Sequence, residues 1–303
     1  MQKNVSNVTF SREFIERFKD FLVDFYKYDR YMDYIVVPTL SGKKVLSYIP
    51  ILSYTDRVAN EIEDLLELSK ESEYQIRVLN FKYKEFKNGD PVTMRIDINS
   101  RSSEELFMDV MKSKHRKTVK SSLKRNSLTV KSGSQIELLD DFYKIFKALM
   151  NGHGTPAFDK KFFLSLKEAL KESMIFYNFY DKNEIVASYA LFLDNSLIYG
   201  SWGGVEDRYR DKLVGHYAYY HIIKDVCDNK IAQIFDFGRS PYGSGGYAFK
   251  HKFGAREIKI DILSSNSEDI YEKYSLASKV WKRLPNFLTD KIGPKLCRYL
   301  VDL

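Results

Sequence analysis

SLIYGSWGG (196–204), GHYAYYHIIKDVCDN (215–229) and AQIFDFG (232–238) decide the fold. The first and last are short, apolar, β-prone runs, and the stretch between them has the length of a helix. A helix joining two strands favours a parallel crossover, because antiparallel neighbours need only a tight turn. The crossover brings the carboxyl ends of both strands to one edge of the sheet. Ser201 and Trp202 are then expected near Asp236 and Arg239, where parallel strands favour ligands. The chain continues as GRSPYGSGGYAFKHKFGA (238–255): a tight Gly-Arg, a glycine-rich loop and a basic-aromatic stretch. This segment reads either as the edge of a site or as a solvated loop after a strand.

Working outward, Ser11 caps a helix whose Phe14, Phe18, Leu22 and Phe25 recur at helical spacing. YMDYIVVPTL and KKVLSYIPIL read as strands around a Ser41-Gly42 turn, and ANEIEDLLELSKES (59–72) as an acidic amphipathic helix. YQIRVLNFKY and PVTMRIDI are strands divided by Lys87-Asn88-Gly89-Asp90. SSEELFMDVMKSKHRKTVKSSLKRN is predicted mostly helical, capped by Ser102 or Ser103. The strand SLTVKSGS follows, then a helix over IELLDDFYKIFKALMNG ended by Gly152, and a helix over DKKFFLSLKEALKES. MIFYNFYDK and EIVASYALFLD precede the crossover, EIKIDIL is a last strand, and the tail is helical, broken by Pro285 and Gly293-Pro294. Each half runs helix, strands, helix, strands. The expected organisation is α/β (α+β), with tandem units at 1–130 and 131–265 and a helical tail at 266–303.

The 303 residues are 44% hydrophobic and 29% charged, as in soluble globular proteins, and aromatics reach 15%. The net charge of +7 points to an anionic partner, a phosphate-bearing ligand, a nucleic acid or a membrane surface, and charge alone does not choose among them. Cys227 and Cys297 give neither a disulfide framework nor a metal pattern, and read as buried thiols. No apolar signal region opens the chain and no stretch approaches ~20 apolar residues. A cytoplasmic protein, in peripheral contact with the inner face of the cell membrane, is therefore expected.

Four groups of residues carry candidate chemistry. KSKHRKTVKSSLKR (112–125) holds seven Lys/Arg and no acid, with Arg116, Lys120 and Lys124 on one helical stripe. Such a face is either solvated or turned to a phosphate-rich ligand or an anionic membrane. HGTPAF (153–158) places His153 as a candidate general base or substrate hydrogen-bonder, with Thr155 beside it. Gly215 and His216 open a helix whose free N–H groups suit a phosphate. At the crossover edge stand Asp236, Ser201, Trp202, Arg239, Ser240, Tyr247 and Lys250. Asp236 reads as a base or acceptor-orienting group, or as the ion-pair partner of Arg239. Arg239 and Lys250 suit a phosphate or carboxylate. Zinc spacing, a Walker loop, a dinucleotide fingerprint and a G-x-S-x-G elbow are absent, and GSGG (243–246) lacks the Lys-Ser/Thr helix of a P-loop.

HGTPAFDKKFF, FDFGRS and GSGGYAFKHKFGA together resemble the FemAB-like proteins encoded with exosortase (PEP-CTERM) and exopolysaccharide systems. KHRKTVKSSLKRNSLTVKSG, LLDDFYKIF and VWKRLPNFLTDKIGPKLCRYL are similar to them as well. The resemblance runs from about residue 105 to the end, and more loosely over 11 to 60. It implies tandem acyl-CoA N-acyltransferase-like (GNAT-like) units, and an acyltransferase that moves an acyl or aminoacyl group onto an amine. It implies no tightly bound cofactor, with acyl-CoA, acyl-carrier protein or aminoacyl-tRNA as donor substrate, and no DNA partner. In such folds two neighbouring parallel strands splay to admit the donor, which matches the run ending on Asp236. The long helical-hairpin arm of the Fem enzymes has no counterpart here. A backbone N–H near Ser201 or Trp202, or a cationic side chain, is the expected oxyanion donor.

Overall fold

The computed structural model describes residues 8–57, 73–83, 85–98, 101–265 and 278–300. In chain order come α1 (Arg12–Tyr26), β1 (Asp29–Tyr31), β2 (Tyr34–Pro38), β3 (Lys44–Ser47), β4 (Glu73–Asn80) and β5 (Pro91–Asp97). Next are α2 (Ser113–Arg125), β6 (Thr129–Gly133), α3 (Leu139–His153), α4 (Lys160–Leu170), β7 (Met174–Asp181), β8 (Glu184–Asp194) and β9 (Leu197–Val205). α5 (Val214–Asp228), β10 (Ile234–Pro241), α6 (Gly245–Lys252), β11 (Arg256–Ser264) and α7 (Asn286–Cys297) follow. The helix expected over 59–72 lies outside the described residues. Two compact units are drawn from interleaved segments: 1–10, 81–146 and 171–259 form the first, and 11–80, 147–170 and 260–303 the second. Boundaries at 130 and 265 divide the chain by repeat, whereas this division follows spatial contact.

The first unit is a mixed sheet in the order β11-β5-β10-β9-β8-β7-β6. β9 and β10 are parallel, as the crossover requires, and the other neighbours are antiparallel. α5 makes the crossover because Val214, Ala218, Ile222 and Val226 recur every four residues and turn one apolar stripe inward. They join Phe179, Val186, Ile198 and Phe235 from the sheet in one core. Each such valine, isoleucine or phenylalanine contributes about 1.5–3 kcal/mol on burial.

Three local expectations change in this unit. The long helix over 102–126 is interrupted. Ser102 and Glu105 do form a reciprocal capping box, but a π-helical turn follows at Leu106–Val110. Met111 is then extended and buried, and α2 restarts at Ser113. Burying Met111 outweighs continuity of the helix, and Arg116 satisfies the carbonyls freed at the break. Second, the glycine-rich loop is shorter than expected. Ser244 accepts the Tyr247 N–H at 3.1 Å and starts α6 at Gly245. The cap overrides the weak helix propensity of two glycines. Third, β10 extends past Gly238 to Pro241.

The second unit holds the order β1-β2-β3-β4, with the expected β2–β3 hairpin around Ser41-Gly42 and β4 parallel to β3. Ser11 caps α1 by accepting the Phe14 N–H. α1 buries Phe14, Ile15, Phe18 and Leu22, and Phe21 meets Phe162 of α4 edge-on at 5.1 Å. Arg17 donates to the carbonyls of Ala169 and Leu170, closing the last turn of α4. α3 runs through Gly152 to His153, and the chain turns at Gly154 instead (φ +73°). A Cβ there would lie 2.6 Å from the Ser278 carbonyl oxygen, so glycine is required by both conformation and space.

Candidate active site

β9 and β10 pair for only three rungs: Leu197 with Ile234, Ile198 with Phe235 and Tyr199 with Asp236. Both strands continue, but their ladder stops there. Each carries a bulge at the parting point. On β9, Gly200 pairs with Leu191 and Trp202 with Ala190, so Ser201 is the extra residue. On β10, Asp236 pairs with Arg95 and Arg239 with Thr93, so the Phe237-Gly238 step holds one residue too many. A bulge bends its strand and re-aims backbone groups. The two bulges face each other across the end of the ladder, and past the close approach of Gly200 and Gly238 the two strands run on without pairing to each other.

Gly238 makes the β10 bulge possible. Its φ is +75°, and a Cβ would lie 2.4 Å from the Gly200 carbonyl oxygen. Asp236 fixes it in place. Its carboxylate accepts the Gly238 N–H at 2.7 Å, the Thr93 hydroxyl at 2.5 Å and the Arg95 Nε–H at 2.7 Å. Asp236 and Arg95 are both 0% exposed. This corrects the reading of Asp236 as a catalytic base: its oxygens are engaged and closed to an incoming amine. It is an ion-pair partner, but the buried cation that meets it is Arg95, on β5. Arg95 and Thr93 were missed by sequence reasoning. The available signal was an arginine at i, i+2 spacing from a threonine in the otherwise apolar stretch VTMRI.

Lys250, on α6, donates to the Gly238 carbonyl at 3.0 Å and the Arg239 carbonyl at 2.9 Å. Burial pushes its ammonium down to about 8, Arg239 adds to the fall, and Asp236 opposes it. A cation that sheds its proton near neutral pH therefore stands just past the last rung. Arg239 is half-buried beside it, and Ser240 is buried on the same strand. Tyr247 stacks on His251 and leans on Tyr242, with ring centroids 5.5 and 4.7 Å away; burial pushes its hydroxyl up. Ser201 is half-buried at its bulge. Trp202 packs edge-on against Phe192 and Phe146.

The start of α5 has a similar opening character. Leu213 occupies the cap position with φ 63°, and no side chain caps the helix. The N–H groups of Val214 and Gly215 are those a helix leaves without an intrahelical acceptor. His216 lies 5.0 Å from both the His115 and Phe249 rings, and burial lowers its pKa. His115 is buried, its Nε2 has no hydrogen-bond partner, and burial pushes it down to about 4.

Four predicted residues remain. Arg116 donates from one nitrogen to the Met108 and Met111 carbonyls, both at 2.7 Å, so it closes the break before α2. Lys120 is exposed, 6.0 Å from the Phe107 ring centroid. His153 and Thr155 belong to the second unit. His153 ends α3, and its carbonyl accepts the Ser278 hydroxyl; the Thr155 N–H donates to Met150. Among the described residues no group of acidic, cysteine or histidine side chains is arranged to hold a metal, and both cysteines are buried and free.

A mixed sheet opened between two parallel strands, with an uncapped helix between them in sequence, is a GNAT-like fold. Residues 111–251, which carry β6 to β10 and the parting point, match the family described as Acetyltransferase (GNAT) domain. Among solved structures, FemX is similar over 81% of this chain and 87% of its own, at 18% identity and a TM-score of 0.53. The C-terminal domain of a protein described as a lysylphosphatidylglycerol synthetase from Agrobacterium fabrum covers 88% and 96%, at 14% identity and 0.54. L-PGS from Bacillus licheniformis covers 90% and 98%, at 10% identity and 0.51. At these identities the likeness is one of fold. No curated protein matches the chain.

Proposed function

We propose that this protein is an acyltransferase of the FemAB-like kind, moving an acyl or aminoacyl group onto an amine. The acceptor class is a cell-envelope glycan, a peptidoglycan precursor or an exopolysaccharide building block. The observation that carries this reading is the pair of facing bulges where the β9–β10 ladder stops. Unpaired strand edges inside a sheet suit an extended donor arm, which can add to them as a short strand would. The GNAT domain match favours acyl-CoA as donor over a carrier protein or aminoacyl-tRNA. The donor's phosphates would meet the first turn of α5 at Gly215 and His216. The support for an envelope acceptor is the resemblance of HGTPAFDKKFF, FDFGRS and GSGGYAFKHKFGA to FemAB-like proteins encoded with exopolysaccharide systems. The tandem arrangement of 1–130 and 131–265 with a tail from 266 belongs to the same reading.

In this chemistry the neutral amine attacks the thioester or ester carbonyl. The C–N bond forms, the C–S or C–O bond breaks, and the proton lost by the amine ends on the leaving thiol or hydroxyl. Negative charge develops on the carbonyl oxygen. In this reading the backbone N–H groups at the Ser201 bulge would meet it. Lys250 has two of its three N–H groups on strand carbonyls and keeps the third for a ligand. Asp236 holds the bulge and Arg95 holds Asp236 in place. Arg239 supplies a second cation at the cleft.

The test is to incubate the protein with acyl-CoAs and aminoacyl-tRNAs and follow transfer to amino sugars by mass spectrometry. Transfer that falls by about 10²–10³ in Lys250→Met, with the fold retained, supports the reading. No transfer from any donor, or turnover untouched in both Lys250→Met and Arg239→Ala, removes it.

A further inference from the structure

We infer that the solvent face of the tail, between Lys279 and Lys295, docks on an anionic phospholipid surface. Nine large hydrophobic side chains are exposed among the described residues, and three of them fall between positions 280 and 292. Phe287 is 70% exposed, Val280 59% and Ile292 39%. A monomer gains nothing by presenting such a cluster to water, and clustered exposed apolar groups mark interaction surfaces.

The charges around them have one sign. Lys279, Lys282, Arg283, Lys291 and Lys295 are exposed, and among the described residues none pairs with a carboxylate. Asp290 is the only acid between 278 and 300, and it is occupied by Lys147 at 2.8 Å. Phe287, Lys291, Ile292 and Lys295 fall on one arc of α7 at helical spacing. Thr289, Gly293 and Cys297 face the opposite way and are buried. That inner side is anchored. Gly293 packs so close that a Cβ would lie 3.3 Å from the backbone of Ala157, and the Tyr28 hydroxyl donates to the Arg298 carbonyl. The outer face is therefore held in one orientation.

Cations alternating with apolar groups on a fixed helical face fit the interface of an anionic bilayer. The lysine and arginine heads meet lipid phosphates while Phe287 and Ile292 enter the acyl boundary. A nucleic acid would use the cations but would bury neither Val280 nor Ile292. No helix among the described residues is long and apolar enough to cross a membrane, so the contact proposed is with the surface.

The experiment is flotation of the purified full chain with phosphatidylcholine vesicles and with vesicles containing phosphatidylglycerol. Binding is expected to the second alone, weakening as salt rises. Phe287→Ser/Ile292→Ser and Lys291→Glu/Lys295→Glu should each weaken it at least about tenfold. Lys117→Glu/Lys124→Glu, on the exposed face of α2, should leave it in place. Circular dichroism melts check that each variant folds. Equal binding to both vesicle types, binding unchanged in both tail variants, or binding abolished by the α2 variant would each overturn the proposal. So would binding to RNA that the Phe287→Ser/Ile292→Ser variant leaves untouched in the absence of lipid binding. No substrate is needed for this measurement, so its outcome is independent of the transferase reading.

Discussion

Asp236 and Lys250 lie on opposite sides of the same bulge and have opposite fates. Asp236 is enclosed and spends its charge on Arg95, Thr93 and the Gly238 N–H. Arg95→Met would remove the buried guanidinium that meets that carboxylate. Urea denaturation should show a loss of about 3–5 kcal/mol, because an uncompensated buried charge costs far more than an intact pair gains. Lys250 is held down to about 8 by burial. Its cationic form, with the third N–H, is present below that value and lost above it. Transfer by the wild type should therefore fall as pH rises through about 8, relative to Lys250→Arg, whose guanidinium stays charged throughout. A pH–rate comparison of the two proteins checks this. A single sequence showed both residues as candidates and could not rank them. Which one is enclosed depends on Arg95, 141 positions away in the chain.

At the scale of elements, α2, α5 and α6 meet through rings. His115 packs on Phe253 at 4.4 Å and on His216, and His216 on Phe249. Burial lowers the pKa of His115 to about 4 and lowers that of His216, with Lys252 adding to both shifts. The sign of the effect on stability follows. Above 6.5 both folded and unfolded chains keep His115 neutral. Between 6.5 and about 4 the unfolded chain takes up the proton first, so stability falls as pH falls through that window. Thermal melts should show this decline, and His115→Phe should flatten it. Helices and strands were largely legible, because apolar spacing of two or about four residues sets them locally. The break at Met111 and the start of α6 were not. A buried methionine and a serine cap each outweigh the local pattern, and the Arg116 contacts that complete the break form only once α2 has turned back.

For the whole molecule, a donor that enters the parted strands binds the folded chain and not the unfolded one. Acyl-CoA at a hundred times its dissociation constant should raise stability by about 2.7 kcal/mol, read as a rise in melting temperature. Free pantetheine should give less, because it brings no phosphates to the first turn of α5. An unchanged melting temperature with every acyl-CoA tried would point to another donor. What the sequence by itself determined was the parallel crossover, the hairpin of β2 and β3, the capped α1 and the concentration of polar residues after Asp236. These follow from local spacing, turn chemistry and helix length, which need no distant partner. The tertiary structure decided where the ladder stops, that Asp236 is buried against Arg95, and that Arg116 closes the break before α2. Those outcomes rest on register, burial and partners contributed by segments far apart in the chain, and a charge acquires its role only when the fold has chosen its neighbours.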